Sequence, residues 1–298
     1  MSTVTIILID GLVTASSLFL LSAGLSVVFG VLRILNLAHG SLFALGAFAG
    51  AILSIDYLKW GRFPQGSFVV LALSALALGA VAGPLIERGL LRWIYGREQV
   101  LQLLATYALF LILEGLQQAL WGGQAYSPWV PYSLLGQMTI GGILYPRYDL
   151  LLFGVAAGAG ILLWLLLNRS RFGRLVVAAT HDPEMSRAMG IDLSRVYTVT
   201  FAIGTALAAL GGAFWAPTIT VLPGFAVDTT VVAFAVVVIG GLGSIGGAAL
   251  GAVIVGVAQA AAVQWAPNLE LFVIYVVMTL VLLVRPQGLF ARAAVRRI

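Results

Sequence analysis

From Thr229 to Leu269 the chain runs for 41 residues without an Asp, Glu, Lys or Arg. A helix that crosses a bilayer uses about 20 apolar residues, so this run is too long for one span. The split is expected at GGLGSIGG, Gly240 to Gly247, where glycines make a turn or a broken helix cheap. A second charge-free stretch lies between Arg33 and Asp56. Only 9% of the 298 residues are charged and 61% are hydrophobic, against about 25% charged in a soluble domain. The expected fold is therefore all-α: a polytopic integral membrane helical bundle, one domain over residues 1–298. The charge-poor windows place spans at 6–29, 34–55, 67–86, 99–120, 150–168, 197–216, 228–243, 247–263 and 270–284. Eight spans with a re-entrant piece, or ten if the 121–149 loop dips back into the membrane, are the alternatives.

Composition also limits the chemistry. Cysteine is absent and only His39 and His181 supply imidazole, too few ligands for a zinc site. The only lysine, Lys59, is followed by Trp60, so the chain has no G-x-x-x-x-G-K-[ST] loop in which a lysine reaches nucleotide phosphates. Neither G-x-S-x-G nor H-E-x-x-H occurs, and His39 has no acidic residue near it in its span to orient it as a base. No enzyme and no cofactor are expected. The N-terminal MSTVTIILIDGL has no basic residue before Arg33 and no polar cleavage region, so the first apolar run reads as a retained span.

Arginine sets the orientation. With the N-terminus outside, Arg33, Arg88, Arg92, Arg97, Arg169, Arg171, Arg174, Arg187, Arg195, Arg285, Arg292, Arg296 and Arg297 share one side, against Lys59, Arg62 and Arg147 on the other. Thirteen against three marks the first side as cytoplasmic. The net charge of +5 is thereby spread over membrane-edge loops and forms no nucleic-acid patch. Small residues at helix-packing spacing, Gly46 with Gly50, Gly79 with Gly83, Gly154 with Gly158, and Gly243, Gly247 and Gly251, predict close backbone contacts in a compact bundle.

Polar residues inside such spans are candidates for function. Asn36 and His39, in ILNLAHGSLF, are expected one turn apart on a helix face beside Gly40. They make either an interhelical hydrogen-bond cluster at a broken helix or a gate in a translocation path, with Ser41 beside them. Glu114, Gln117 and Gln118 have i, i+3 and i, i+4 spacing in the outer half of the fourth span, where they serve either an ammonium-bearing solute or a structural hydrogen bond. Asp10, Glu114 and Asp228 also admit a secondary transporter or channel for small polar solutes as the alternative function. Two loops are long. The outer one, about 121–149, is rich in Gly, Pro and aromatics and fits the headgroup level or a docking surface. In the cytoplasmic one, about 168–196, Asp182 can cap a short helix with Pro183 first and Glu184 in its first turn, ending near Gly190.

Three stretches carry a resemblance: LNLAHGSLFALGAF, DPEMSRAMGIDLSRVYTVTFAIGTALAALGGAF, and GGLGSIGGAALGAVIVG with the closing RPQGLF. Together they resemble the LivH-like permeases of branched-chain amino acid ABC importers. The chain departs from that pattern at Val177, Ser186, Ser41 and Gly246. The resemblance implies a multi-pass permease in a prokaryotic plasma (inner) membrane. Its implied partners are cytoplasmic ATP-binding cassette ATPases, a second permease subunit (homologous or identical) and an extracytoplasmic solute-binding protein. It implies that Asp182, Glu184, Met185, Ala188, Gly190 and Ile191 form or flank a coupling helix seated on the ATPase. A branched-chain amino acid fits it best as solute, with other amino acids, urea and short amides open.

Overall fold

The structure, a computed structural model, describes residues 3–140 and 142–290. In chain order it has α1 (Thr3–Leu32), α2 (His39–Lys59) and α3 (Gly66–Ile86), which continues through a π-turn, Glu87–Leu91, into α4 (Arg92–Ile94). Then come α5 (Gln99–Trp121), α6 (Trp129–Leu134) and a hairpin of β1 (Gln137–Ile140) and β2 (Ile143–Pro146). The second half holds α7 (Arg147–Arg169), α8 (Arg171–His181), α9 (Pro183–Ala188), α10 (Leu193–Trp215), α11 (Ala226–Gly240), α12 (Ile245–Trp265) and α13 (Glu270–Val284). Among the described residues seven helices are long and apolar enough to cross a membrane, and two shorter apolar helices lie at α11 and α13. Each of the nine expected windows overlaps one of these helices, although 34–55 begins before α2 does and 228–243 runs past the end of α11. The 121–149 loop folds as a short helix and an antiparallel hairpin and adds no span.

The glycine-rich split occurs as expected. Helix α11 ends at Gly240, Gly241 and Gly243 take φ of 101° and 79°, and the Ser244 hydroxyl caps α12 by accepting from the Gly247 N–H at 3.0 Å. The orphan carbonyls at the end of α11 are met by the last described segment: Leu289 N–H donates to Ile239 and Phe290 N–H to Gly240, both at 2.9 Å. By the alternation of the helices Arg33, Arg88, Arg92, Arg97, Arg169, Arg171, Arg174, Arg187, Arg195 and Arg285 lie at one end, and Lys59, Arg62 and Arg147 at the other. Arg292, Arg296 and Arg297 lie outside the described residues.

Small residues bring the helices together. A Cβ on Gly11 would stand 2.7 Å from the Val257 backbone, and one on Gly256 2.5 Å from the Gly11 carbonyl, which locks α1 to α12. Gly83 sits against Ala202 and Gly79 against Ala206, which locks α3 to α10. Gly46 and Gly50 meet Ala209 and Ala213, and Gly24 meets Gly204. Gly251 meets the Val236 carbonyl, Gly247 meets Gly240, and Gly243 lies by Gly30. The pair Gly154 and Gly158 is different: nothing lies within 4 Å of a Cβ on either. Spacing alone cannot tell a glycine pair that meets a helix from one on the outer face of the peripheral α7.

The contact pattern has an internal symmetry. Helices α1, α2 and α3 correspond to α10, α11 and α12: α1 packs on α12 as α10 packs on α3, α2 on α3 as α11 on α12, and α1 crosses α10. By chain alternation α1 runs inward and α10 outward, so the two triplets are inverted relative to each other, the arrangement seen in many membrane transporters.

Candidate functional site

Each inverted triplet contains a stretch of non-helical chain buried in the bundle. In the first, α1 ends at Leu32, Arg33 adopts φ 55°, and its guanidinium donates to the Thr180 carbonyl at 3.3 Å. The chain then climbs back alongside α1, with Ile34, Asn36 and Ala38 buried. At His39 the imidazole Nε2 donates to the Leu21 carbonyl at 3.1 Å. At 1.5 Å per residue, Leu21 lies roughly 16 Å along the axis from Leu32. Helix α2 therefore starts near the middle of the bundle and runs outward.

In the second triplet α10 ends at Trp215, a 3-10 turn covers Ala216–Thr218, and the chain re-enters from the outer side. Val221 pairs with Tyr126 of the outer loop through two backbone bonds of 2.9 and 3.0 Å, and Thr220 contacts Ser127 at 3.2 Å. Helix α11 begins at Ala226 and runs inward. The first turns of the two half-helices face each other: Gly40 lies against Thr230 and the Ala226 carbonyl, and Phe43 meets Phe225 edge-on at 6.2 Å.

Irregular backbone at membrane depth persists only where its polar groups find partners inside the protein. Helix α5 supplies them at both breaks. Thr106 donates to the Leu35 carbonyl at 3.2 Å, Gln117 Nε2 donates to the Ser41 carbonyl at 3.4 Å, and the Glu114 carboxylate accepts from the Gly224 N–H. Thr106, Leu113 and Gln117 are buried on one stripe of α5, so the face of α5 that meets the bundle carries polar groups where the half-helices need them.

This geometry corrects two expectations. Asn36 is not on a helix face with His39 and Gly40; it precedes α2, and its Oδ1 accepts from the Ala38 N–H at 3.1 Å, closing the turn that starts the helix. An Asn–x–x stretch that bonds its own backbone favours a turn over a helix interior, and no charge marks the change. Gln118 does not join Glu114 and Gln117: Gln117 is 1% exposed and Glu114 half-buried, while Gln118 points outward. Asn36 Nδ2, His39 Nδ1, Ser41 Oγ, Glu114 Oε2 and Gln117 Oε1 are buried without a partner, so the centre of the bundle keeps unused hydrogen-bonding capacity. We expect Glu114→Gln to keep assembly and most uptake, because its amide oxygen still accepts from Gly224, whereas Glu114→Leu orphans that N–H at about 1–3 kcal/mol. Uptake by the assembled variants in vesicles reads the difference, and loss of uptake in an assembled Glu114→Gln variant would give the charge itself a transport role.

At the cytoplasmic end the loop 168–196 forms α8 and α9. Asp182 caps α9 by accepting from the Met185 N–H at 2.9 Å, Pro183 is its first residue, and Gly190 closes it at φ 82°, with Ile191 N–H donating to Ser186 at 3.0 Å. Asp182, Glu184, Met185, Ala188 and Gly190 are exposed, and Ile191 tucks against the core. Met185 is 60% and Met189 76% exposed. Sequence reasoning missed Glu87, which is fully buried and accepts from Tyr95 at 2.8 Å and Thr198 at 2.6 Å. Beside Arg88 and Arg92 it reads as one more solvated loop charge. Burial and the Glu87 carboxylate push the Tyr95 hydroxyl well above the usual phenol range.

Comparison with known proteins gives the family of the chain. Residues 7–282 match the profile of a family described as branched-chain amino acid transport system / permease component. The chain is 28% identical to the high-affinity branched-chain amino acid transport system permease protein BraD of Pseudomonas aeruginosa, covering 98% of this chain and 97% of that one. It is 26% identical to the permease protein LivH of Escherichia coli K12, over 97% and 96%, and 26% identical to a probable LivH of Methanocaldococcus jannaschii, over 95% and 91%. The chain is a multi-pass membrane protein of the family of branched-chain amino acid transport permease components.

Proposed function

We propose that this chain is the membrane subunit through which an ATP-driven importer of the prokaryotic inner membrane moves branched-chain amino acids into the cell. Separate ATPase subunits supply the energy, a second permease subunit completes the path, and an extracytoplasmic binding protein delivers the solute. The observation that carries the coupling part is α9: a capped six-residue helix held out on the cytoplasmic end, with exposed Met185 on it and exposed Met189 at its C-cap. Exposed methionine is suited to a protein contact because its thioether side chain adapts to a partner's groove. Closure of the ATPases moves α9, and α8 and α10, packed against it, pass the movement to the inverted triplets.

Gly190→Val and Met185→Asp test the coupling. Valine cannot take φ 82° without strain of roughly 1–2 kcal/mol, and an aspartate at position 185 places a charge in the contact. Both variants should insert normally yet recover less ATPase on affinity purification and lose most solute-stimulated ATP hydrolysis in liposomes. Normal recovery and full stimulation in both would remove α9 as the coupling element. Uptake of labelled leucine by the reconstituted importer tests the solute.

A further inference from the structure

A cavity of about 340 Å³ opens between α1, α11, α12 and the start of α13, at the low end of the roughly 300–1,000 Å³ typical of ligand pockets. It reaches from the outer end, at Glu270, to the first turn of α11, at Phe225 and Asp228. Its polar wall contains Asp228, Glu270, Gln259 and Ser17. Gln259 Nε2 donates to Glu270 at 2.5 Å, and the Ser17 hydroxyl, on a residue 2% exposed, has no hydrogen-bond partner. The apolar wall is aliphatic and aromatic: Leu18, Leu21, Val232, Phe43 and Phe225. Asp228 is exposed on the protomer's surface, and a carboxylate at this depth is not left facing hydrocarbon. The face that bears it therefore looks into water or onto a second subunit.

We propose that this cavity is a transient binding site for the transported amino acid on its way from the outer side. The inference rests on the amino acid reading above and assigns its residues. The ammonium of the solute sits between the Asp228 and Glu270 carboxylates, where opposite charge replaces its lost hydration. The Ser17 hydroxyl donates to the solute carboxylate, using the capacity it leaves unspent in the empty bundle. The branched side chain lies on Leu18, Leu21 and Val232, with Phe43 and Phe225 closing the bottom where the two half-helices meet. A sugar or an uncharged amide has no use for two carboxylates and a wall of this kind, so the chemistry selects an ammonium-bearing solute with an aliphatic body.

The test uses the full importer, with its binding protein, reconstituted in liposomes. Labelled leucine uptake is measured for the wild type, Asp228→Asn, the double variant Asp228→Asn/Glu270→Gln, and Asp56→Asn, a carboxylate paired with Lys59 at the outer end of α2. The double variant is expected to lose at least tenfold in maximal uptake while the complex is recovered at wild-type yield, and Asp56→Asn to stay within twofold. The unmutated complex is also illuminated during turnover with a diazirine analogue of leucine, and labelled peptides from residues 14–21 and 225–232 are expected. Wild-type leucine uptake with a fully active double variant, or labelling confined to other segments, would overturn the site and leave the amino acid reading standing. Failure of the wild type to import leucine while importing another solute would overturn both.

Discussion

Gly46→Leu is expected to yield no assembled permease. A Cβ at this position would run into the backbone of Ala209, and the neighbouring Gly212 is pressed in the same way against the Phe43 carbonyl. The two glycines lie on opposite partners of one contact, α2 against α10, so neither helix has a free direction in which to withdraw. Overpacking a well-packed interior costs roughly 1–3 kcal/mol when side chains can move aside. Here the obstacle is backbone, and the loss should exceed that range. Gly154→Leu is the matched control, because nothing lies within 4 Å of its Cβ position. Size-exclusion profiles of the detergent-solubilised variants, with protease resistance, should show Gly46→Leu aggregated or degraded and Gly154→Leu like the wild type.

Glu87→Ala is the second substitution with a large expected effect. Its carboxylate is fully buried at the cytoplasmic end of α3, and one oxygen accepts from Tyr95 while the other accepts from Thr198 of α10. Alanine leaves the Tyr95 hydroxyl without an acceptor, turns the Thr198 hydroxyl wholly onto the Ser194 carbonyl it already reaches at 2.9 Å, and opens a void between α3 and α10. The one orphaned group costs about 1–3 kcal/mol and the void adds to that loss, read as a fall in the thermal midpoint of the purified complex. Glu87→Gln keeps one acceptor oxygen and should lose about half as much. A midpoint unchanged in Glu87→Ala would mean that the Tyr95 hydroxyl finds another partner.

The sequence makes the helices legible because apolar composition and arginine placement report the same thing in each span. The turn at Gly240–Gly247 and the capped helix after Asp182 are readable for local reasons: glycines that take positive φ, and a side chain that bonds the third N–H after it. Of the two breaks, residues 33–38 are invisible to that reading, which runs a span from 34, whereas 216–225 falls in the gap it leaves between 216 and 228, without any sign that the gap dips into the bundle. The first is mostly apolar like the helices around it and the second is marked by Pro217, Pro223 and Gly224, but the tertiary partners from α5 and the outer loop that make extended backbone tolerable there leave no local sign. For the same reason Asn36 looked like a helix residue and Gln118 like a member of the Glu114 face. Of the candidate site, the residue types were apparent; which backbone groups they serve depends on contacts between segments far apart in the chain.

The inversion of the two triplets also bears on how the chain is made. The translocon must set α1 running inward and, five spans later, α10 running outward, although the two helices play equivalent parts in the finished bundle. What separates them is α2, α3, α5 and α7, an even number of crossings, and the arginines at 169, 171 and 174 hold the chain on the cytoplasmic side just before α10 begins. Removing one crossing would deliver the second triplet in the same sense as the first, and the two half-helices would then start from the same leaflet and never meet. Biogenesis of this protein therefore depends on parity, and the connecting helices α5 and α7 carry that requirement whatever else they contact.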